Sequence, residues 1–141
     1  MKHEILKKID HIGIVVSDID AALKKYHELF NAEARMIETI EELNVRIAFI
    51  PVGEVMIELI EPLVPGKGRI GEFLQCSGEG FHHIAYRVEN LDDLLDTLKR
   101  ADVTLRDSEP RPGAARSRIS FLAPEETNNV LTELVEREQD L

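Results

Sequence analysis

The sequence predicts an α+β fold: two tandem β-α-β-β-β modules that curl side by side into an open, incomplete barrel. Two repeats and a shared periodicity carry that reading. Ile9-Asp-His-Ile-Gly-Ile-Val-Val16 returns as Phe81-His-His-Ile-Ala-Tyr-Arg-Val88, 72 positions on, and the same offset lays Asp20 on Asp92, Leu23 on Leu95, Arg46 on Arg118 and Phe49 on Phe121. Ile57-Glu-Leu-Ile-Glu61 matches Thr132-Glu-Leu-Val-Glu136 at an offset of 75, and the three extra residues fit a turn at 124–129. Strand-like and helix-like periods then follow one another in the same order in both copies. A four-stranded sheet with one helix covers only one of its faces, so the other face needs a partner or a ligand.

Each element has its local reason. Residues 9–16 are rich in Ile and Val and alternate weakly, as a half-buried strand does. Ser17-Asp18 offers capping oxygens before Ile19, Leu23, Tyr26 and Phe30, which form one helical stripe. Strands follow at 33–39, 45–51 and 54–61, with Gly53-Glu54 turning the last two. The second copy repeats this: a strand at 81–88, a cap at Asn90, a helix at 92–101, then strands near 103–106, 117–122 and 130–136. Module one spans about 8–62, a bridge 63–80, and module two 81–136, within a single domain 1–141. The stretch from 61 to 80 holds Pro62, Pro65, Gly66 and Gly68, then a short amphipathic helix at 70–75.

Composition narrows the function classes. The 141 residues are 43% apolar, enough for one core. A net charge of −10 disfavours nucleic acid, whose binders usually carry a basic face. It leaves room for an anionic small molecule, because a few local Arg or Lys dominate the field close to them. A lone cysteine, Cys76, fits a reducing compartment. With no long apolar run and no leader-like start, a cytoplasmic protein without a membrane segment is expected.

Period two puts His11, Gly13 and Val15 on one strand face, and His83, Ala85 and Arg87 on the corresponding face of the second copy. The aliphatic Ile12, Ile14 and Val16 suit the helix-covered side, so the histidines face the cavity beside small residues. Glu58 and Glu133 sit between apolar neighbours, where a carboxylate is costly unless paired or bound to a cation. A lone strand histidine is most often structural. Two imidazoles and two carboxylates recurring at matching places point instead to a divalent first-row metal held by His11, Glu58, His83 and Glu133. His82 has no counterpart, since the first copy has Asp10, and is expected to be structural. His3 and His27 are expected to face solvent.

These residues resemble the vicinal oxygen chelate superfamily, and within it the methylmalonyl-CoA epimerases, over residues 8–136. The runs are Asp10-His-Ile-Gly-Ile14, Val45-Arg-Ile-Ala-Phe49, Ile57-Glu-Leu-Ile-Glu-Pro-Leu63, Gly78-Glu-Gly-Phe-His-His-Ile-Ala85, Asp107-Ser-Glu-Pro-Arg-Pro-Gly113, Arg118-Ile-Ser-Phe-Leu122 and Val130-Leu-Thr-Glu-Leu134. The resemblance implies an isomerase that interconverts (2R)- and (2S)-methylmalonyl-CoA by removing the α-proton. It places metal ligands on His11, His83 and Glu133, with Glu58 where some epimerases have Gln. The implied ion is divalent (Co, Mn, Ni or Zn). Negative charge builds on the thioester carbonyl oxygen as the proton leaves, and such an ion stabilises it. Glu133 is the implied catalytic base; Arg111, Arg116 and Arg118 are candidates for the phosphates of an acyl-CoA.

Two departures stand out. Some bacterial epimerases have Glu aligned with Ile47, and an isoleucine cannot transfer a proton. The second face of the carbon is then left to Glu133, Glu58 or a bound water. The chain also reads Ala123-Pro-Glu125 where the family tends to have His-Pro-Lys. The alternatives are a lactoylglutathione lyase-like glyoxalase or another metal-dependent enzyme of the superfamily, and then a non-enzymatic binding or resistance protein. Family members often dimerise, and exposed sheet edges would gain from pairing, so a homodimer is expected.

Overall fold

The computed structural model describes residues 4–140. Its contacts divide it into two compact units, His11–His82 and a second that runs from His83 onward and includes the N-terminal residues through Asp10. His3 lies outside the described residues.

In the first unit, β1 (Lys8–Val15) enters at His11 and is followed by α1 (Ile19–Phe30), β2 (Met36–Ile40), β3 (Val45–Val52) and β4 (Val55–Pro62). The strands lie in the order β2-β3-β4-β1, with β1 parallel to β4 and the other pairs antiparallel. Asp18 caps α1 by accepting from the Ala21 amide at 3.2 Å. Ile14 and Val16 pack with Ile19, Ala22, Leu23 and Tyr26 over Ala48, Ile50 and Leu59, so the aliphatic strand face is the helix-covered one. Gly53, at φ 60, sits in the two-residue hairpin between β3 and β4, where a left-handed backbone matches the strand twist. The bridge carries α2 (Gly68–Ser77), longer than expected, and the Asn44 side chain fastens its start through hydrogen bonds to Val64 and Lys67.

The second unit repeats the plan with β5 (Gly80–Arg87), α3 (Leu91–Arg100), β6 (Arg111–Pro112), β7 (Arg118–Phe121) and β8 (Thr132–Glu136), in the order β5-β8-β7-β6. Asn90 caps α3 through the Asp93 amide, and Val88, Leu91, Leu95, Leu122 and Leu134 form the core beneath the helix. The turn from β7 to β8 absorbs the three extra residues in a 3-10 turn, Pro124–Thr127, followed by Asn128 and Asn129 at φ 59 and 65. The fold is α+β, as expected.

Two strands differ from expectation. β2 begins at Met36 rather than 33, because Ala32 and Ala34 first pack back against the α1 core. The strand expected near 103–106 is a single bridge, Leu105 to Leu122. Val103 and Leu105 pack beneath α3, and the Asp107 carboxylate takes the Phe121 amide. Ladder pairing resumes only at Arg111–Pro112, where Arg111 is flanked by Pro110 and Pro112, which have no amide hydrogen to give. No helix among the described residues is long and apolar enough to cross a membrane.

Candidate metal centre

Each unit builds the same constellation on the sheet face away from its helix. In the first, Gly13 pairs with Glu58 across β1 and β4, and Phe49 pairs with Glu58 from the other side. In the second, Ala85 pairs with Glu133 across β5 and β8, and Phe121 pairs with Glu133. His11 and His83 stand two residues before the small residue, on the same face. His11 Nδ1 lies 3.0 Å from Glu58 Oε2, and His83 Nε2 lies 3.6 Å from Glu133 Oε2. The His83 ring also meets Phe121 edge-on at 5.3 Å.

All four residues are 3–4% exposed. Carboxylates that deep in apolar surroundings need a cation or strong hydrogen bonds to remain charged. Imidazole nitrogen and carboxylate oxygen together suit a divalent first-row ion, so the donor set fits a metal. The residue opposite each carboxylate is small, Gly13 in one unit and Ala85 in the other.

The three candidate arginines part company. Arg111 pairs with Ile119 in the β6–β7 ladder, which puts it on the face shared by Ala85, Phe121 and Val135, that of His83 and Glu133. Its Nε lies 3.6 Å from Asp107. Arg116 is exposed in the tip of that hairpin. Arg118 is on the opposite face. It binds Asp92 at 2.8 and 3.1 Å and Glu136 at 3.1 Å, beside the start of α3. The hydrogen bonds with Asp92 and Glu136 hold its pKa above the usual arginine value, and its hydrogen bond depresses Asp92 below the ordinary carboxylate value.

Residues 10–121 match the profile of the Glyoxalase/Bleomycin resistance protein/Dioxygenase superfamily. The chain belongs to this superfamily. Among its relatives, an ethylmalonyl-CoA/methylmalonyl-CoA epimerase of Cereibacter sphaeroides is 32% identical, over 92% of this chain and 98% of that protein. The uncharacterized protein YqjC of Bacillus subtilis is 40% identical, over 96% of each. A solved methylmalonyl-CoA epimerase in complex with methylmalonyl-CoA and NH4+ superimposes with a TM-score of 0.88 at 35% identity, covering 96% of this chain and 97% of that one.

The superfamily's paired modules differ here in what surrounds their histidines, and two such features escaped the sequence reading. Ile47 is 5% exposed on the Glu58 face, and its ladder partner on β2 is Glu38, a half-buried carboxylate on that same face. Its alternation with Ile37 and Thr39 was the available signal. The second is Asp10, 4% exposed, which receives Arg87 Nε at 2.8 Å and Arg137 Nη2 at 3.1 Å. Burial opposes the charge of Arg87, but its bonds to Asp10 and Asp140 outweigh that and raise its pKa. Only the oddity of a strand Asp beside His11 hinted at it. His82, which occupies the matching place in the second copy, instead meets Phe73 edge-on at 4.8 Å. His27 and Cys76 are exposed.

Proposed function

We propose that this chain is a metal-dependent epimerase of methylmalonyl-CoA, an isomerase acting as a single domain. The observation that carries the reading is the doubled constellation of histidine, small residue and buried glutamate, in a chain whose relatives include named methylmalonyl-CoA epimerases. His11, Glu58, His83 and Glu133 would together hold one divalent ion. When bound, that ion supplies Lewis-acid stabilisation of the charge that develops on the thioester carbonyl oxygen. Glu133 takes the α-proton on one face of the carbon. Its carboxylate is kept buried and close to His83, so it has little water to compete for the proton. Return from the other face falls to Glu58, the corresponding carboxylate of the first module, or to a water; Ile47 cannot serve.

Arg111, on the catalytic face, and Arg116 are the proposed contacts to the phosphates of the acyl-CoA. Arg118 is committed to Asp92 and Glu136, and we assign it to holding the start of α3. Met36 and Ile37, exposed on the outermost strand of the first unit, support pairing of sheet edges in a homodimer. The single cysteine supports a reducing, cytoplasmic setting.

The test is α-proton exchange. Purified protein loaded with Co²⁺ or Mn²⁺ and given either methylmalonyl-CoA epimer in D₂O should incorporate deuterium and yield both epimers. No exchange with any supplied divalent ion would end the proposal. Turnover of the methylglyoxal–glutathione adduct in its place would move the chain to the glyoxalase reading.

A further inference from the structure

The hairpin tip between β6 and β7 holds two adjacent non-glycine residues in the left-handed region, Ala115 at φ 52, ψ 48 and Arg116 at φ 59. Such backbone costs free energy and persists only where its surroundings over-determine it. Here they do. The Ala114 carbonyl accepts from Arg137 Nη1 at 3.0 Å, from Ser117 Oγ at 2.8 Å and from the Ser117 amide at 3.3 Å, and the Ala115 carbonyl accepts from the same Arg137 nitrogen at 3.0 Å. Gly113 closes the tip so tightly that a Cβ would stand 2.6 Å from Ser117 Oγ and 2.7 Å from Ile119 Cγ2.

Arg137 is itself buried, with its side chain 2% exposed, and its other nitrogens bind Asp10. A buried guanidinium is costly to place, and this one spends its donors on one loop and on the residue before His11. The two peptide planes it fixes set the direction of the Arg116 side chain, and the hairpin they close carries Arg111 on the face of His83 and Glu133.

We propose that Arg137 is a positioning residue for the nucleotide phosphates of the acyl-CoA: it locks the 113–117 tip so that Arg111 and Arg116 are preset to receive them. This rests on the epimerase reading given above. The test compares the Arg137→Met enzyme on methylmalonyl-CoA and on the methylmalonyl thioester of N-acetylcysteamine, which has no phosphates. KM for the CoA ester should rise about tenfold with kcat within about twofold, whereas the truncated thioester should be turned over nearly as before. Arg137→Lys keeps the charge but lacks the fork that spans Asp10 and both carbonyls, and should fall between.

A second measurement needs no variant. Adenosine 3′,5′-bisphosphate should slow tryptic cleavage of the wild-type protein after Arg116. Equal losses on the two substrates, a loss confined to kcat, or no protection by the bisphosphate would each overturn the assignment. If the wild-type protein shows protection but no α-proton exchange, the phosphate site stands and the epimerase reading falls.

Discussion

The two modules share more than a fold. In each, an arginine at the start of a strand (Arg46 or Arg118) reaches a strand-end glutamate (Glu61 or Glu136) and a first-turn aspartate (Asp20 or Asp92). In each, that glutamate also accepts from the first helical amide, Ile19 at 3.3 Å and Leu91 at 3.2 Å. The ion pairs are 3.6 and 3.8 Å in the first module and 2.8 and 3.1 Å in the second. What repeats is therefore helix anchoring and the histidine–glutamate pair. What does not repeat is Glu38 in one module, and in the other the short β6, the strained hairpin tip and its Arg137 clamp. Duplication supplies a scaffold and a face that carries a buried His–Glu pair; the unrepeated parts are where a substrate of no symmetry would be read.

The sharpest way to break the equivalence is at the paired glutamates. Glu133→Gln should lower kcat by about a thousandfold if Glu133 moves the proton, whereas Glu58→Gln should cost only about tenfold, since an amide oxygen can still face a metal. Equal losses would mean that the two modules are chemically equivalent.

Stability comes next. Asp10→Asn takes from the buried Arg137 side chain the carboxylate it binds, while Arg87 keeps Asp140, and should cost about 3–5 kcal/mol in urea unfolding. The matching residue, His82, is only half-buried and meets Phe73 edge-on, so His82→Ala should cost far less. Leu95 is 1% exposed and its counterpart Leu23 is half-buried. Leu95→Ala should therefore lose about 3 kcal/mol and Leu23→Ala about half of that.

The smallest effects lie in the surface ion pairs. Arg118→Ala should destabilise more than Arg46→Ala, in keeping with its shorter contacts, and should leave KM for the acyl-CoA unchanged. Asp92 is held below its ordinary carboxylate value by Arg118. A depressed carboxylate stabilises the fold above its unfolded pKa and loses that contribution as pH falls through the folded one. A thermal-melt series against pH should thus show the wild type losing its advantage over Asp92→Asn only on the acid side.

Much of this was legible because period two and period 3.6 act locally. His11 with Gly13, and His83 with Ala85, report their face from a few residues of sequence, and the offsets of 72 and 75 pair the modules without any knowledge of packing. The bridge of Leu105 was not legible: Val103 and Leu105 alternate with polar neighbours as in a strand, and only the α3 core and the Asp107–Phe121 hydrogen bond decide otherwise. The contacts of Arg118 were readable in hindsight. It recurs with Arg46, Asp20 with Asp92 and Glu61 with Glu136, and that repetition was the available signal for its ion pairs. Arg137 was out of reach, because its partner Asp10 lies at the far end of the chain.

The proposed ligand set for one divalent ion is His11, Glu58, His83 and Glu133. Metal content after reconstitution with excess Co²⁺ and desalting tests it most directly, on the wild type, His11→Ala and His83→Ala. The account predicts one ion per wild-type chain and almost none in either variant. Two ions in the wild type, or a variant that keeps its metal, would contradict it.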